Sequence, residues 1–175
     1  MRLVPADAMA RLAAHDHGVF CTVHADRGVD AVPVAFALDG VHLGIPVDLV
    51  KPKASLRLQR ERNLEADPRA TLLVEQWDRD DWSRLWWVRV ELHHVDDAAR
   101  ADALADALAA KYPQYRDRPF ARVIVLQVVD VSGWSSSGVD GSAQDQHHDD
   151  DDDQKGDEPS ADVETRCEQH DGSVR

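Results

Sequence analysis

Cysteine is scarce in this chain. There are two in 175 residues, Cys21 in an apolar run and Cys167 near the C-terminus. A disulfide framework is not supported at that count and spacing, and a reducing compartment is expected. Long hydrophobic runs are missing as well: no stretch approaches the roughly 20 apolar residues that a membrane helix requires. The opening MRLVPADAMARLAAHDHGVF is broken by Asp and His before an apolar run can form. It reads as a short amphipathic helix, not a signal peptide. A soluble, cytoplasmic protein with no membrane partner is the expectation. Signature motifs are equally sparse, with no Gly-rich phosphate loop, GxSxG elbow, zinc-ligand spacing or nucleophile–base pair. His93 and His94 on a strand would point to opposite faces. His147-His148 before five Asp would hold a cation only weakly, because flexible chain resists being ordered. The sequence therefore names no catalytic acid, base or nucleophile and no metal site, which favours chemistry carried by a cofactor.

Positive charge is also in deficit, 20 Lys and Arg against 33 Asp and Glu, a net of -13. The deficit is unevenly spread. Residues 135–175 hold 13 acids and 3 bases, whereas residues 1–134 hold 20 acids and 17 bases. The acidity belongs to a Ser/Gly/Asp-rich tail that cannot bury enough apolar surface to offset its ordering entropy, so a disordered tail over 135–175 is expected. The remainder, 1–134, is nearly neutral and long enough for one domain with a real core. A nucleic-acid partner is not expected, since that domain is not basic and the tail would compete for its cations.

Within the domain the pattern is β-rich. Residues 5–15 read as a helix with Pro near its first turn. GVFCTVHA (18–25), VDAVPVAFAL (29–38) and VHLGIPV (41–47) read as three antiparallel strands, with Asp39-Gly40 as a hairpin signal. A basic helix over about 53–64 should end before Asp67-Pro68. RATLLVEQW (69–77), WWVRVELHHV (86–95) and FARVIVLQVVDVSGW (120–134) complete about six strands. Residues 96–112, Ala-rich with acid at the start and Lys at the end, form the clearest helix. The sum is an α+β, β-rich domain, with a small antiparallel barrel as the expected core.

Two groups of residues carry chemical interest. In KPKASLRLQRERNL (51–64), a helix from 53 would set Lys53, Arg57 and Arg60 on one face, with Lys51 and Pro52 at its entrance and Ser55 as a hydroxyl donor. Free N–H groups, the helix dipole and convergent cations suit a phosphate or other polyanion. An ordinary solvated helix face explains the same spacing, and composition does not decide between them. The second group is aromatic: four of the five Trp fall at 77, 82, 86 and 87. Trp86 and Trp87 must face opposite sides of a strand, so one needs a partner subunit, a ligand ring or a covering loop. Core packing plus an interface without ligand contact is the other reading.

Taken in order, VPVAFALDG, then VDLVKPKASLRLQRERNLEADPRATLLVEQWDRDDWSRLWWVRV, then AKYPQY, then a strand ending in SGW, resemble the pyridoxamine 5′-phosphate oxidase-like split β-barrel family. Within it, the sequence is most similar to the coenzyme F420-dependent oxidoreductases. The likeness spans residues 18–134 and leaves out the tail. It implies a split antiparallel β-barrel with flanking helices, and a homodimer with a cofactor in each of two grooves at the subunit interface. The implied cofactor is F420, with FMN as the alternative and a flavin- or haem-binding carrier as the non-catalytic one. The implied cofactor-phosphate residues are Lys51, Lys53, Arg57 and Arg60, with Ser55 beside them. Pro33, Val34, Ala35, Ile45 and Pro46 would line the ring, and Trp77 or Trp87 would cover it. The implied activity is hydride transfer between F420 and a small organic substrate.

Overall fold

The computed structural model describes residues 1–49 and 57–137. Lys51, Lys53, Ser55 and the acidic tail from residue 138 onward lie outside the described residues, while Ser135, expected in the tail, ends β7. By internal contact the chain divides into Met1–Asp140 and Gly141–Arg175. The first unit contains α1 (Pro5–Ala14), β1 (His17–His24), β2 (Gly28–Ala35), β3 (Ala37–Asp39), β4 (His42–Asp48), α2 (Gln59–Ala66), β5 (Arg69–Gln76), β6 (Trp86–His94), α3 (Ala98–Lys111) and β7 (Phe120–Ser135). Single 3-10 turns lie at Trp82–Arg84 and Pro113–Tyr115. The strands form one antiparallel sheet in the order β2-β1-β5-β6-β7-β4-β3. It curls so that the edge strand β2 approaches the part of β4 that extends beyond the short β3, without pairing to it. This is the split-barrel architecture that the family resemblance implies.

Three expected elements are corrected. The expected strand 29–38 is two strands, because Phe36 leaves the sheet. Its ring is fully buried, and its backbone N–H and C=O both engage the Tyr112 hydroxyl instead of a neighbouring strand. That break carries the chain from one edge of the sheet to the other, so the expected three-strand meander is a β1–β2 pair and a separate β3–β4 hairpin. The hairpin turns at Gly40, whose φ of +59° suits a residue without a side chain. The strand count is seven, not six. Lastly, the basic helix begins at Gln59, not 53. Leu58 is extended, with φ -80° and ψ 155°. The Glu61 carboxylate accepts from the Leu58 N–H at 2.8 Å and so closes the helix start.

Alternation puts one face of the sheet into the core. Phe20, Val34, Leu43, Ile45, Leu72, Val74, Val88, Val90 and Leu126 pack there with Ala8 and Leu12 of α1. β4 is buried on both faces, because α3 covers its far side. A Cβ on Gly44 would stand 2.8 Å from the Leu104 Cβ, so only glycine lets α3 lie that close. α2 is tied to the sheet by polar contacts. Buried Asn63 donates to the Thr22 hydroxyl and to the Asp30 carboxylate, each at 2.9 Å. Among the described residues, no helix is long and apolar enough to cross a membrane.

Candidate functional site at the open seam

The unpaired seam between β2 and β4 has a local cause. Pro33 faces Val19 of β1 within an unbroken register, so its nitrogen, which has no hydrogen to donate, must point away from β1. Pro46 faces Val123 of β7, and its carbonyl oxygen is approached by an Arg60 guanidinium nitrogen at 3.4 Å. A strand residue directs its N and O to the same side, so the Pro46 nitrogen also faces the seam. Each facing edge thus lacks a donor where closure of the barrel would need one. The seam stays open as a cleft of about 250 Å³ lined by Pro33, Val34, Ala35, Pro46, Asp48, Leu58, Arg60 and Tyr115.

Arg60 is the cation of this cleft. It stands in the first turn of α2, half-buried, and its Nε is buried without a hydrogen-bond partner among the described residues. Burial draws its pKa down, while the carboxylates of Glu61 and Asp48 oppose that. An arginine normally uses its planar fork of donors. One held by a single long contact to Pro46 is placed to accept an oxygen-bearing ligand. Glu61 beside it is engaged elsewhere: Arg122 grips it at 2.5 and 2.8 Å. Burial would raise the Glu61 pKa, but the hydrogen bonds from Arg122 and Leu58 outweigh it and hold the group low. Tyr115, on the turn after α3, completes the polar wall.

The structure brings together five of the residues expected from sequence: Pro33, Val34, Ala35, Pro46 and Arg60. It also regroups them. Arg60 was expected with the phosphate end, yet it stands among the residues expected around the ring. Arg57 precedes α2 instead of sharing a helix face with Arg60, and it is paired with Glu65. Ile45 is wholly buried in the core, and Trp77 and Trp87 do not line the cleft. Trp77 is 61% exposed and its ring lies 5.7 Å from that of Trp82 at a tilt of 55°, while Trp87 pairs with Trp134 of β7 on the outer face. Asp48 and Tyr115 were missed. The signal for Tyr115 was the KYPQY stretch that supported the family resemblance. Nothing in the sequence distinguished Asp48 from other acids at strand ends. Among the described residues, no group of three or more His, Cys, Asp or Glu is placed to hold a metal ion.

A half-barrel with a polar cleft at its unpaired seam defines a split-barrel domain. The pyridoxamine 5′-phosphate oxidase family model matches residues 4–135, and the chain belongs to that family, which includes oxidoreductases. Solved structures agree on the fold. A conserved hypothetical protein from Mycobacterium tuberculosis superposes with a TM-score of 0.60 at 18% identity, covering 80% of this chain and 94% of that one. An FAD-binding protein from Mesorhizobium loti gives 0.54 at 17%, covering 76% and 93%. A conserved protein of unknown function from Corynebacterium diphtheriae gives 0.52 at 19%, covering 76% and 94%. No curated protein matches the sequence.

Proposed function

We propose that this chain is a cytoplasmic oxidoreductase that binds coenzyme F420 at the seam cleft and uses it to reduce a small organic substrate. The observation that carries this reading is the half-buried Arg60, with an unengaged Nε, set against the Pro33–Ala35 and Pro46 backbone. When bound, F420 supplies hydride transfer, for which no side chain of the cleft is equipped. The chain's own part is to orient the ring between two strand edges, exclude water with Val34, Pro46 and Leu58, and hold its polar edge with Arg60. Lys51 and Lys53 remain the residues for the phosphate and the acidic tail of the coenzyme. FMN is the second reading, favoured by the likeness in fold to an FAD-binding protein. Titration of purified full-length protein separates the two. Quenching of F420 fluorescence at micromolar concentrations is the expected result. Tight binding of FMN or haem with no response to F420 would overturn it.

The same proposal includes a homodimer. Support comes from the outer face of β1, β5 and β6, away from the part of the sheet that α3 covers. It exposes Val19 (38%), Val23 (41%) and Val129 (64%) beside Cys21, Leu73 and Trp87. Water-facing valines on two strands of one sheet suit a self-complementary interface. The cleft residues Pro33 and Ala35 lie on that face of β2, so a second copy would stand next to the seam. Val19→Asp combined with Val129→Asp is expected to halve the mass measured by light scattering while leaving the circular dichroism spectrum intact. A wild-type mass already equal to one chain would refute the dimer.

A further inference from the structure

The outer face of β6 carries charges that the chain itself leaves unanswered. Its inward residues Trp86, Val88, Val90 and Leu92 are buried, so Arg89 and Glu91 both point outward. Arg89 stands between Leu73 of β5 and Ser132 of β7, and Glu91 stands between Thr71 and Asp130. None of these neighbours offers an opposite charge, and Asp130 sets a second carboxylate against Glu91. Like charges directly opposite each other destabilise a sheet. Among the described residues, the side chains of Arg89, Glu91 and Asp130 form no ion pair. Arg69 of the same face is held by Asp67 at 2.7 and 3.0 Å.

Opposite charges two residues apart on one strand have a definite symmetry. They lie about 6.8 Å apart along β6. A two-fold axis crossing the strand between them, in the plane of a face-to-face contact, lays Arg89 of one protomer over Glu91 of the partner subunit, and the reverse. Residue i then meets j while j meets i, the condition for an isologous contact. The surroundings suit burial of that contact. Arg89 and Glu91 border a hollow of about 570 Å³ whose apolar wall includes Val23, Val29 and Val129. The register passes from Glu91–Asp130 to Leu92–Val128 and skips Val129, a bulge whose side chain is left 64% exposed. The wall supplies contact area, and the charges fix the alignment.

We propose that this face docks a second copy of the chain through reciprocal ion pairs, in which Arg89 of each protomer meets Glu91 and Asp130 of the partner subunit. This inference rests on the homodimer reading and adds to it the contact that sets the register. One guanidinium has donors enough for both carboxylates. The carboxylate pair that costs the single sheet stability thereby gains a cation in the assembly.

The test is a charge exchange read by mass. Full-length Arg89→Glu presents only carboxylates at these positions, whereas Glu91→Arg combined with Asp130→Asn presents only arginines. Each is expected to repel its own copy and to dissociate about 100-fold more readily than wild type, as measured by light scattering over a range of concentrations. Circular dichroism and thermal melts check that both fold. Mixed in equal amounts, the two variants should regain the two-chain mass, because each then faces its opposite charge. A misfolded variant would not be rescued in this way. A mixture that stays at one-chain mass, or either variant dimerising within threefold of wild type, would overturn the ion pairs and leave the homodimer standing. A wild-type mass equal to one chain would overturn both.

Discussion

Replacing Arg60 with alanine is expected to weaken coenzyme binding by about 10- to 100-fold and to leave the melting temperature unchanged or slightly raised. The two halves of this expectation have one cause. Hydrogen bonds to a charged group contribute about 1.5–3 kcal/mol when made, and a buried donor left unmade is a cost to the folded chain. Among the described residues, Arg60 has a buried Nε without a hydrogen-bond partner and a 3.4 Å contact to the Pro46 carbonyl. Without ligand, it stabilises the fold little for the desolvation it suffers. Removing it should therefore cost affinity and not stability, the pattern of a residue kept for function. Arg60→Lys should recover part of the loss, because the charge returns without the fork. Arg57→Ala, removing a cation that sits outside α2 and is paired with Glu65, should cost less affinity than Arg60→Ala. Parallel fluorescence titrations and thermal melts decide the matter. A large drop in melting temperature with unchanged affinity would make Arg60 a structural residue and remove the main support for the cleft.

The largest stability effect is expected from Tyr112→Phe. Its hydroxyl accepts from the Phe36 N–H at 3.2 Å and faces the Phe36 carbonyl at 2.6 Å and the Asp16 carbonyl. These backbone groups lie where the chain leaves β2, so no strand is available to take them over. Leaving a buried N–H and C=O without partners costs about 1–3 kcal/mol each before water relieves part of it, so a loss of about 2–4 kcal/mol is expected. Urea unfolding measures this directly, and a loss under about 0.5 kcal/mol would show that the break at Phe36 does not depend on the hydroxyl.

The same residue sets an alkaline limit. Burial pushes the Tyr112 pKa up to about 12, with the Asp16 carboxylate adding to the rise and the Phe36 hydrogen bond opposing it. An unfolded tyrosine ionises near 10. A group whose folded pKa is raised stabilises the fold fully below the unfolded value, so this contribution is present at pH 9 and is lost between pH 10 and 12. Wild type should lose stability across that window more steeply than Tyr112→Phe. Equal slopes would show that the phenol titrates as it does in water.

How far the fold was legible depends on how local its signals are. α3 was readable because an Ala-rich repeat with Asp97 at its cap and Lys111 at its end forms a helix whatever surrounds it. β6 was readable from alternation, and β5 and β7 from their apolar runs. The second strand misled because Phe36 and Ala37 are as strand-like as their neighbours. What ends β2 is the Tyr112 hydroxyl, 76 residues away in sequence. The helix at 53 misled for the opposite reason. Helical spacing of Lys53, Arg57 and Arg60 is real in the sequence, but the Glu61 side chain closes the helix start at Leu58 and leaves Arg57 outside.

The candidate site divides along the same line. By itself, the sequence determined that the chain would build a β-rich antiparallel domain and that its cations cluster after the third expected strand, and its motif order resembled the split-barrel family. Those conclusions rest on composition, period and motif order, which survive any detail of packing. Only the tertiary structure decided which cations meet which strands. It set Arg60 against Pro33, Ala35 and Pro46, left Arg57 with Glu65, and added Asp48 and Tyr115 to the wall. The physical reason is that a cleft at an unpaired seam is made by two edges that fail to bond. Pro33 and Pro46 are 13 positions apart on strands that never pair, and nothing in their spacing states that they face each other.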